Sequence, residues 1–492
     1  MVKIKEHLKF TSIYTFFAAF PALLQLIVYP LIEGNNKLGP RQFGFLGITE
    51  TIIALVALFC LFGMGAGITR FYYDYNDTKK NYNKLVSTSL NGILFRGLLL
   101  MGIAIVLSPL INKLLTQPEL KNFQIYGPYL VISGFSRAIL AFVIALFRQE
   151  KRLKAFVIIS LFSGLFRSGF QLIGVSFWDM SFLGYVYGTA VGSGVITLFT
   201  IIYLYYKCGF HYDKDIRKQL FPFASSIIFS DLVFWCLAYA DRYFLLNQPE
   251  NLGIYDNAMK FAIGIQFILQ GFTGSMQPDL FSRLKIGIKH TEQEVKQLLN
   301  LYMAESILVI VGCILPAMYF IHIFYQTKLI LSASIIAIVF VKFIFTAQYN
   351  IFSLLILYSK KTNFIFYINI FVLIINVVLN FILTPYFGYY GAIISFFCSS
   401  IFQVIVSKYI QEKVIKISWN NIKVYYLPFG IILLAVILEL LKIKTGGNMF
   451  LFAFILVFVS ATSMFILYRN EISGLIIKLL KSNTNVFKNI KK

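Results

Sequence analysis

Five basic side chains lie inside long apolar runs of this 492-residue sequence. Arg96, Arg137 and Arg167 belong to the first half of the chain, and Lys260 and Lys342 belong to the second half. A Lys or Arg at the centre of a bilayer costs about 2.5–3.5 kcal/mol on insertion scales, so such residues usually face a bundle interior or a wet cavity. Because a guanidinium group binds phosphate through two parallel hydrogen bonds, a phosphorylated ligand suits this set of residues.

Three acidic residues also lie in apolar runs, namely Glu50, Asp231 and Glu305. Each base taken alone is explained equally well by an ion pair, by a hydrogen bond to a backbone carbonyl, or by a ligand. Taken together, five bases against three acids leave an excess of positive charge, which is costly unless a cavity is hydrated or an anion visits. We therefore predict that the five bases line a cavity for a phosphorylated substrate.

The apolar runs that carry these charges are typical of transmembrane helices. Hydrophobic residues make up 58% of the chain and charged residues 13%, whereas soluble domains carry about 25% charged residues. Runs of about 20 apolar residues recur along the whole chain and predict an all-α polytopic membrane protein with about fourteen transmembrane helices. The predicted helices, numbered 1 to 14, span residues 10–32, 44–68, 85–111, 123–147, 154–176, 183–206, 221–246, 252–281, 298–322, 329–357, 363–383, 388–411, 424–441 and 448–468.

Lys and Arg are distributed unevenly between the predicted loops. With the N-terminus placed inside, the two tails and the even-numbered loops hold 31 of the 44 Lys and Arg residues, and the odd-numbered loops hold 7. Since cytoplasmic loops carry an excess of bases, this split predicts that both termini are cytoplasmic and that the helix number is even. The bases of the predicted cytoplasmic loops and tails also explain most of the net charge of +23, so the charge does not indicate a nucleic-acid partner.

The sequence has no pattern typical of a metal site, a disulfide framework or ATP hydrolysis. The five cysteines are scattered without CxxC spacing, and the four histidines are isolated. A phosphate-binding loop of the form GxxxxGKS or GxxxxGKT is missing. The apolar run Phe10–Leu31 is too long for the h-region of a signal peptide and is interpreted as the first span. We therefore expect no metal and no cofactor.

A similar turn recurs in the two halves of the chain. "LGPRQFGFLGITE" follows predicted helix 1 and "NLGIYDNAMKFA" follows predicted helix 7, and both place glycine and apolar residues at an outer helix end. A spacing of six helices indicates two six-helix lobes in parallel, followed by two added helices. The predicted segments are an N-terminal lobe at 1–206, a cytoplasmic linker at 207–220, a C-terminal lobe at 221–412, and helices 13 and 14 with a basic tail at 413–492.

Three further charges lie near the ends of predicted spans. Asp241 and Arg242 end predicted helix 7 at the outer face, where headgroups and water lower the cost of charge. We expect this pair to tie the outer ends of predicted helices 7 and 8 together as part of a gate. Arg70, at the inner end of predicted helix 2, is assigned to the same group of rim and gate residues.

Four segments in a fixed order resemble a known family. They are "LGPRQFGFLGI" after predicted helix 1, "GMGAGITRFYYDY" closing helix 2, "ADRYFLLNQPENLGIYDNAMKFA" across helices 7 and 8, and "TPYFGYYGAIIS" before helix 12. Together they resemble the bacterial polysaccharide flippases, which transport O-antigen and capsule precursors. That family belongs to the superfamily of the multidrug and toxic-compound extrusion proteins and the lipid II flippase. The resemblance covers essentially the whole chain, although no single segment is diagnostic.

The resemblance implies a transporter rather than an enzyme, with two six-helix lobes in a V and a central cavity that opens alternately to each side. The implied substrate is an undecaprenyl-diphosphate-linked oligosaccharide, moved across the bacterial inner (cytoplasmic) membrane for lipopolysaccharide, capsule or exopolysaccharide synthesis. A polysaccharide polymerase and a chain-length regulator are the implied further partners. In the family a cationic cavity meets the diphosphate, and four bases of this sequence match that character, namely Arg96, Arg137, Arg167 and Lys260.

Two departures from relatives bear on mechanism and substrate. Some relatives couple transport to a cation through an acid in helix 1, but predicted helix 1 has none, which leaves Asp231 in predicted helix 7 as the candidate for ion coupling. Helix 1 also lacks the basic residues that the lipid II flippase carries there, which argues against lipid II as the substrate.

Other function classes remain open at this point. A multidrug or cation exporter of the same superfamily would need acids rather than bases in its cavity. A membrane glycosyltransferase or polymerase would need a large soluble loop, and no predicted loop is long enough. A scaffold protein would not explain buried bases.

Overall fold

The computed structural model describes residues 4–34, 37–75, 77–179 and 181–469. Within these ranges the regular elements are helices, and one isolated bridge pairs Glu33 with Leu38. Among the described residues, twelve helical segments are long and apolar enough to cross a membrane. The prediction of an all-α, multi-pass membrane protein is therefore confirmed, while the count of fourteen helices is approximate. Predicted helices 1 and 8 lie in the helices Ile4–Ile32 and Pro249–Ile286, which fall outside those twelve.

The chain divides into two compact units. The first unit contains the residues up to Asn257, together with Tyr325–Leu329 and Leu379–Ala392. Its helices are Ile4–Ile32 (α1), Pro40–Leu61 (α2), Met64–Tyr75 (α3), Lys79–Val106 (α4), Ser108–Leu114 (α5), Phe123–Gln149 (α6), Leu153–Ile173 (α7), Phe182–Cys208 (α8) and Lys214–Phe244 (α9), and it also holds the first residues of Pro249–Ile286 (α10).

The second unit contains Ala258–Phe324, Ile330–Val378 and the described residues from Ile393 onward. Most of α10 belongs to it. The helices that follow are Ile288–Gly312 (α11), Ile314–Phe324 (α12), Ser332–Val341 (α13), Phe343–Tyr358 (α14), Thr362–Phe387 (α15), Tyr389–Val414 (α16), Leu427–Thr445 (α17) and Met449–Leu467 (α18).

The compact units divide the chain differently from the predicted lobes. The sequence places helix 7 in a C-terminal lobe that begins at residue 221, whereas α9 packs within the first unit and contacts α2. The indole N–H of Trp235 on α9 donates to the backbone carbonyl of Thr51 on α2 over 3.2 Å. The lobe boundaries stay a prediction, and residues 470–492 of the predicted basic tail lie outside the described residues.

The second span is broken in its middle. α2 ends at Leu61, and the next two residues, Phe62 and Gly63, both have positive φ, 48° and 68°. A Cβ at position 63 would lie 2.9 Å from the carbonyl oxygen of Ala224 on α9, so glycine allows both the turn and the close approach. The sequence predicts a single helix at 44–68, and the break divides that span into α2 and α3.

α7 and α8 approach each other closely because two glycines of α8 face the backbone of α7. A Cβ at Gly188 would lie 2.1 Å from the carbonyl oxygen of Phe170, and one at Gly192 would lie 2.5 Å from that of Phe166. Small residues allow this kind of helix packing in membranes. The close contact fixes the position of Arg167 on α7 relative to α8.

In the second unit, a buried lysine of α17 forms an ion pair within its own helix and also links that helix to α13. The Nζ of Lys442 lies 2.7 Å from a carboxylate oxygen of Glu439, and the two side chains are 11% and 9% exposed. The same ammonium donates to the backbone carbonyl of Ser334 on α13. α18 packs against α17, α11 and α12, so the two last described helices are integral parts of this unit.

Candidate substrate-binding site

Two arginines and one glutamate from three helices meet in the first unit. Glu50 lies on α2, Arg137 on α6 and Arg167 on α7. The Nη1 of Arg137 lies 2.6 Å from Oε1 of Glu50, and the Nη2 of Arg167 lies 3.1 Å from Oε2. Each carboxylate oxygen therefore accepts from a different guanidinium group. We call these three residues the arginine cluster.

The arginine cluster carries more positive than negative charge. Two guanidinium groups against one carboxylate leave a formal excess of one positive charge. The side chain of Arg137 is 44% exposed, that of Arg167 is 22% exposed and that of Glu50 is 26% exposed. A guanidinium group has five N–H donors, so each arginine keeps donors beyond those that Glu50 uses. The cluster can therefore accept an additional anion.

A polar network adjoins Arg167 one helical turn along α7. Gln171 accepts a hydrogen bond from Gln25 on α1 over 3.0 Å and donates one to Thr189 on α8 over 2.9 Å. The hydroxyl of Tyr185 donates to Gln25 over 2.8 Å and lies 3.1 Å from the hydroxyl of Tyr29. These bonds tie α1, α7 and α8 together beside the arginine cluster.

Sequence reasoning missed most of this network and the pairing of Glu50. Gln25 and Tyr185 each stand as a polar group inside an apolar run, and that was the available signal. Their common location depends on how three helices pack, which the residue pattern does not specify.

Arg96 occupies a different place from the arginine cluster. Its Nε donates to the backbone carbonyl of Cys60 over 2.8 Å, and its guanidinium carbon lies 5.3 Å from the centre of the Phe62 ring. Carbonyls at the end of a helix lack intrahelical partners, so Arg96 satisfies the end of α2 at the break in the second span. These contacts are structural, and a substrate contact of Arg96 stays a prediction.

The two predicted lysines belong to the second unit. Lys342 is 3% exposed and lies between α13 and α14, where its Nζ is 3.0 Å from the sulfur of Met259 and 4.2 Å from the centre of the Phe396 ring. Lys260 is partly buried on α10. The structure thus brings Arg137 and Arg167 together, and the sharing of one cavity by all five bases stays a prediction.

The predicted rim pair is part of a buried network. Arg242 is 5% exposed, and its Nη2 lies 2.7 Å from Oδ1 of Asp256 on α10 and its Nη1 3.5 Å from Asp241. Tyr255 on α10 donates to Asp241 over 2.5 Å. These contacts tie α9 to α10 and bury the guanidinium group of Arg242, and the gate role of the pair stays a prediction. This burial could not be predicted from the residue pattern, because Asp256 and Tyr255 belong to another helix.

Two other predicted residues are on the surface of the first unit. Arg70 forms an exposed pair with Asp74 one turn along α3, at 3.0 Å. Such pairs contribute about 0.3–0.5 kcal/mol. Asp231 is exposed on α9 and makes no hydrogen bond or ion pair with any residue that the structure describes. Neither the gate role of Arg70 nor the coupling role of Asp231 is tested by these contacts.

The two recurring turn motifs meet in the first unit. A Cβ at Gly44 on α2 would lie 2.1 Å from the carbonyl oxygen of Pro249, and one at Gly253 on α10 would lie 1.9 Å from that of Pro40. The N-terminal ends of α2 and α10 therefore pack backbone to backbone. This close approach is a physical reason for the similar glycine-containing turns in the two halves of the sequence.

The candidate spans and the charged cluster within them are those of a multi-pass membrane protein. A family profile described as "Polysaccharide biosynthesis protein" matches residues 38–330. The chain belongs to this family, as the resemblance of its motifs predicted. No curated protein matches the chain significantly.

Several solved structures share the fold at low sequence identity. The lipid II flippase MurJ in an inward closed conformation has a TM-score of 0.69 and 17% identity, over 93% of this chain and 99% of that chain. An inward-facing MATE-family multidrug resistance transporter has a TM-score of 0.62 and 15% identity, over 80% and 95% of the two chains. A MOP superfamily transporter from Pyrococcus furiosus has a TM-score of 0.53 and 16% identity, over 83% and 95%. These three structures are described as those of a flippase and of transporters, and at this identity the likeness shows a shared fold.

Proposed function

We propose that the protein is a flippase that moves an undecaprenyl-diphosphate-linked oligosaccharide across the bacterial inner membrane for surface polysaccharide synthesis. The observation that carries the proposal is the pair Arg137 and Arg167 on the single carboxylate of Glu50 inside membrane spans. Membership of the polysaccharide biosynthesis family and the fold shared with a lipid II flippase support the same substrate class.

The arginine cluster suits a diphosphate because it can exchange one anion for another. In the empty state the carboxylate of Glu50 lowers the cost of placing two guanidinium groups within the membrane. An arriving diphosphate offers several oxygens, and a planar guanidinium group can bind two of them through parallel hydrogen bonds. The diphosphate would replace Glu50 as the partner of Arg137 and Arg167, and Glu50 would pair with them again after release.

The polar network beside the cluster would contact the sugar. Gln171 lies about one helical turn from Arg167 on α7. Its network includes the amide of Gln25 on α1 and the hydroxyl of Tyr185 on α8. Such groups can donate to and accept from sugar hydroxyls. Diphosphate recognition by the arginines and sugar recognition by the network would then occur on adjacent helices.

The remaining parts of the proposal follow from the resemblance and from the charge distribution. The protein would work by ion-coupled alternating access, with both termini in the cytoplasm and Asp231 as the coupling candidate. Lys260 and Lys342 would extend the cationic surface that the substrate meets, Arg96 would hold the break between α2 and α3, and Arg70, Asp241 and Arg242 would act at the gates. A polysaccharide polymerase and a chain-length regulator would act on the product.

Complementation of surface-glycan assembly in cells that lack the gene tests the proposal. We expect Arg167→Ala to abolish assembly and Arg167→Lys to retain part of it, because lysine keeps the charge but loses the bidentate geometry. Arg41→Ala, which removes the exposed arginine paired with Glu119, is the control and should assemble glycan normally. Normal assembly by Arg167→Ala at equal protein level would refute a role of the arginine cluster in substrate recognition.

A further inference from the structure

A basic cavity lies at one end of the first unit, apart from the arginine cluster. Its volume is about 410 Å³, and its lining includes Lys79 on α4, Arg152 before α7 and Lys207 near the end of α8. Glu150 is the acidic residue of the lining, and Tyr82 lies beside it. Its residues lie at helix ends rather than within the spans. We call it the interface cavity, where interface means the boundary between membrane and water.

Glu150, the acid of the interface cavity, forms ion pairs with two bases of the lining. Glu150 is 7% exposed in its side chain and lies 2.8 Å from Nζ of Lys207 and 3.1 Å from Nε of Arg152. The hydroxyl of Tyr82 also donates to Glu150 and lies 3.1 Å from Nζ of Lys207. Glu150 therefore holds two of the bases in place, and the lining as a whole keeps a formal excess of two positive charges.

Lys79 is the base of the interface cavity that forms no ion pair with the described residues. It lies in the first turn of α4, is exposed, and makes no hydrogen bond or ion pair with any residue in the described ranges. Asn83 lies four residues further along α4, on the same face, and also lines the cavity. The N-terminal end of a helix carries partial positive charge, which adds to that of Lys79. An ammonium, an amide and a helix end thus face one cavity.

The interface cavity is separated from the arginine cluster along the helices. Glu150 follows Arg137 by thirteen positions at the end of α6, which corresponds to about 20 Å along a helix axis. The charge distribution predicts that this end of the first unit is cytoplasmic. Its bases would then lie near the level of the lipid headgroups, where juxtamembrane Lys and Arg attract anionic lipids.

We propose that the interface cavity binds the phosphate group of an anionic lipid of the cytoplasmic leaflet. Lys79 and Asn83 would contact the phosphate oxygens, while Glu150 keeps Arg152 and Lys207 oriented on the opposite wall. The proposal does not depend on the transported substrate, because the residues involved are separate from the arginine cluster. An inorganic phosphate ion has the same chemistry, so the test compares both sources.

The test is a calorimetric titration of the purified full chain in neutral detergent with three probes: short-chain phosphatidylglycerol, short-chain phosphatidylcholine and inorganic phosphate. We expect phosphatidylglycerol to bind more tightly than phosphatidylcholine, whose choline group cancels the charge. Lys79→Gln should weaken phosphatidylglycerol binding about tenfold, as for the loss of one charge-assisted hydrogen bond. Lys80→Gln, which changes the neighbouring exposed lysine outside the cavity lining, is the matched control and should bind as the unchanged protein does.

The outcomes separate the two phosphate sources. Retention of phosphatidylglycerol in excess inorganic phosphate supports a lipid-borne phosphate, whereas displacement by millimolar phosphate shows that the free ion is the ligand and overturns the lipid proposal. Equal affinity of Lys79→Gln and Lys80→Gln for phosphatidylglycerol also overturns it. Thermal unfolding of both variants checks that folding is unchanged, and flipping activity retained by Lys79→Gln would leave the proposed transport function unaffected.

Discussion

Arg137 and Arg167, thirty residues apart and on different helices, bind opposite oxygens of one carboxylate. The carboxylate of Glu50 lies between the two guanidinium groups, at the position that a substrate anion would take, so the arginines already have the geometry of an anion complex. A site of this kind avoids two costs, that of bare charge in the membrane and that of ordering two long side chains when the substrate arrives.

Removal of the internal anion should strengthen anion binding. Glu50→Gln leaves both arginines without their carboxylate, so we expect tighter binding of pyrophosphate, a soluble probe of the diphosphate, in a calorimetric titration. The variant should also be less stable, by less than the about 3–5 kcal/mol that breaking a fully buried pair costs, because Glu50 is partly exposed.

Glu439→Gln is the matched control for this prediction. It breaks another intramembrane ion pair, with Lys442 in the second unit, and should lower stability without changing pyrophosphate affinity. If Glu50→Gln binds pyrophosphate no more tightly than Glu439→Gln does, the carboxylate does not compete with the ligand.

Arg96 should act on stability rather than on substrate affinity. Arg96→Met removes the charged donor from the carbonyl of Cys60 at the helix break, which we expect to cost about 1.5–3 kcal/mol. Thermal unfolding in detergent measures the loss, and Arg70→Ala, which removes an exposed pair, should change stability by less than about 0.5 kcal/mol. Unchanged stability combined with lost pyrophosphate binding would place Arg96 in the substrate site instead.

The close contact between α2 and α10 should not tolerate a methyl group. Gly253→Ala would place Cβ 1.9 Å from the carbonyl oxygen of Pro40, so the helix ends must separate. We expect a marked fall in thermal stability and in transport. Gly264→Ala on the same helix has no atom within 4 Å of the added Cβ and should be neutral or stabilising by up to about 1 kcal/mol. Equal behaviour of the two variants would show that this contact is dispensable.

The connection between α8 and α9 should loosen in acid. Lys84 lies 2.9 Å from Asp213, and this hydrogen bond, with backbone N–H groups of Asp215 and Ile216, holds the pKa of Asp213 below its usual value. A depressed carboxyl pKa adds stability above the unfolded pKa of about 4, and that stability is lost as the pH falls through the folded pKa.

Lys84→Gln therefore tests the effect of acid on this connection. Its thermal stability should fall below that of the unchanged protein at pH 7, and the difference should shrink below pH 4. A difference of the same size at both pH values would mean that the ion pair with Asp213 is not the cause.

Sequence patterns were sufficient for the fold class and the family, because apolar runs of membrane length and the order of the turn motifs are local properties. They also identified Arg137 and Arg167 as bases that need a polar environment. They did not identify Glu50 as the shared partner, since that contact depends on the packing of α2, α6 and α7.

Arg96 and Arg242 illustrate the same limit. The break at Phe62 and Gly63 lies within an apolar run that continues without interruption, so the role of Arg96 at a helix end could not be read from composition. Arg242 was expected at a wet rim because of its position in the chain, whereas Asp256 from the next helix buries it. In both cases the contacts of the arginine depend on a residue of another helix or on a local turn.

The most direct test of the central claim is the flipping of an undecaprenyl-diphosphate-linked oligosaccharide in reconstituted vesicles. We expect the double variant Arg137→Ala with Arg167→Ala to lose at least about tenfold in rate, as for the loss of charge-assisted hydrogen bonds. The double lysine variant should retain part of the activity, and Arg41→Ala, which removes an exposed arginine outside the arginine cluster, should retain all of it. Flipping by the double alanine variant at the rate of the unchanged protein would contradict the assignment of the diphosphate to Arg137 and Arg167.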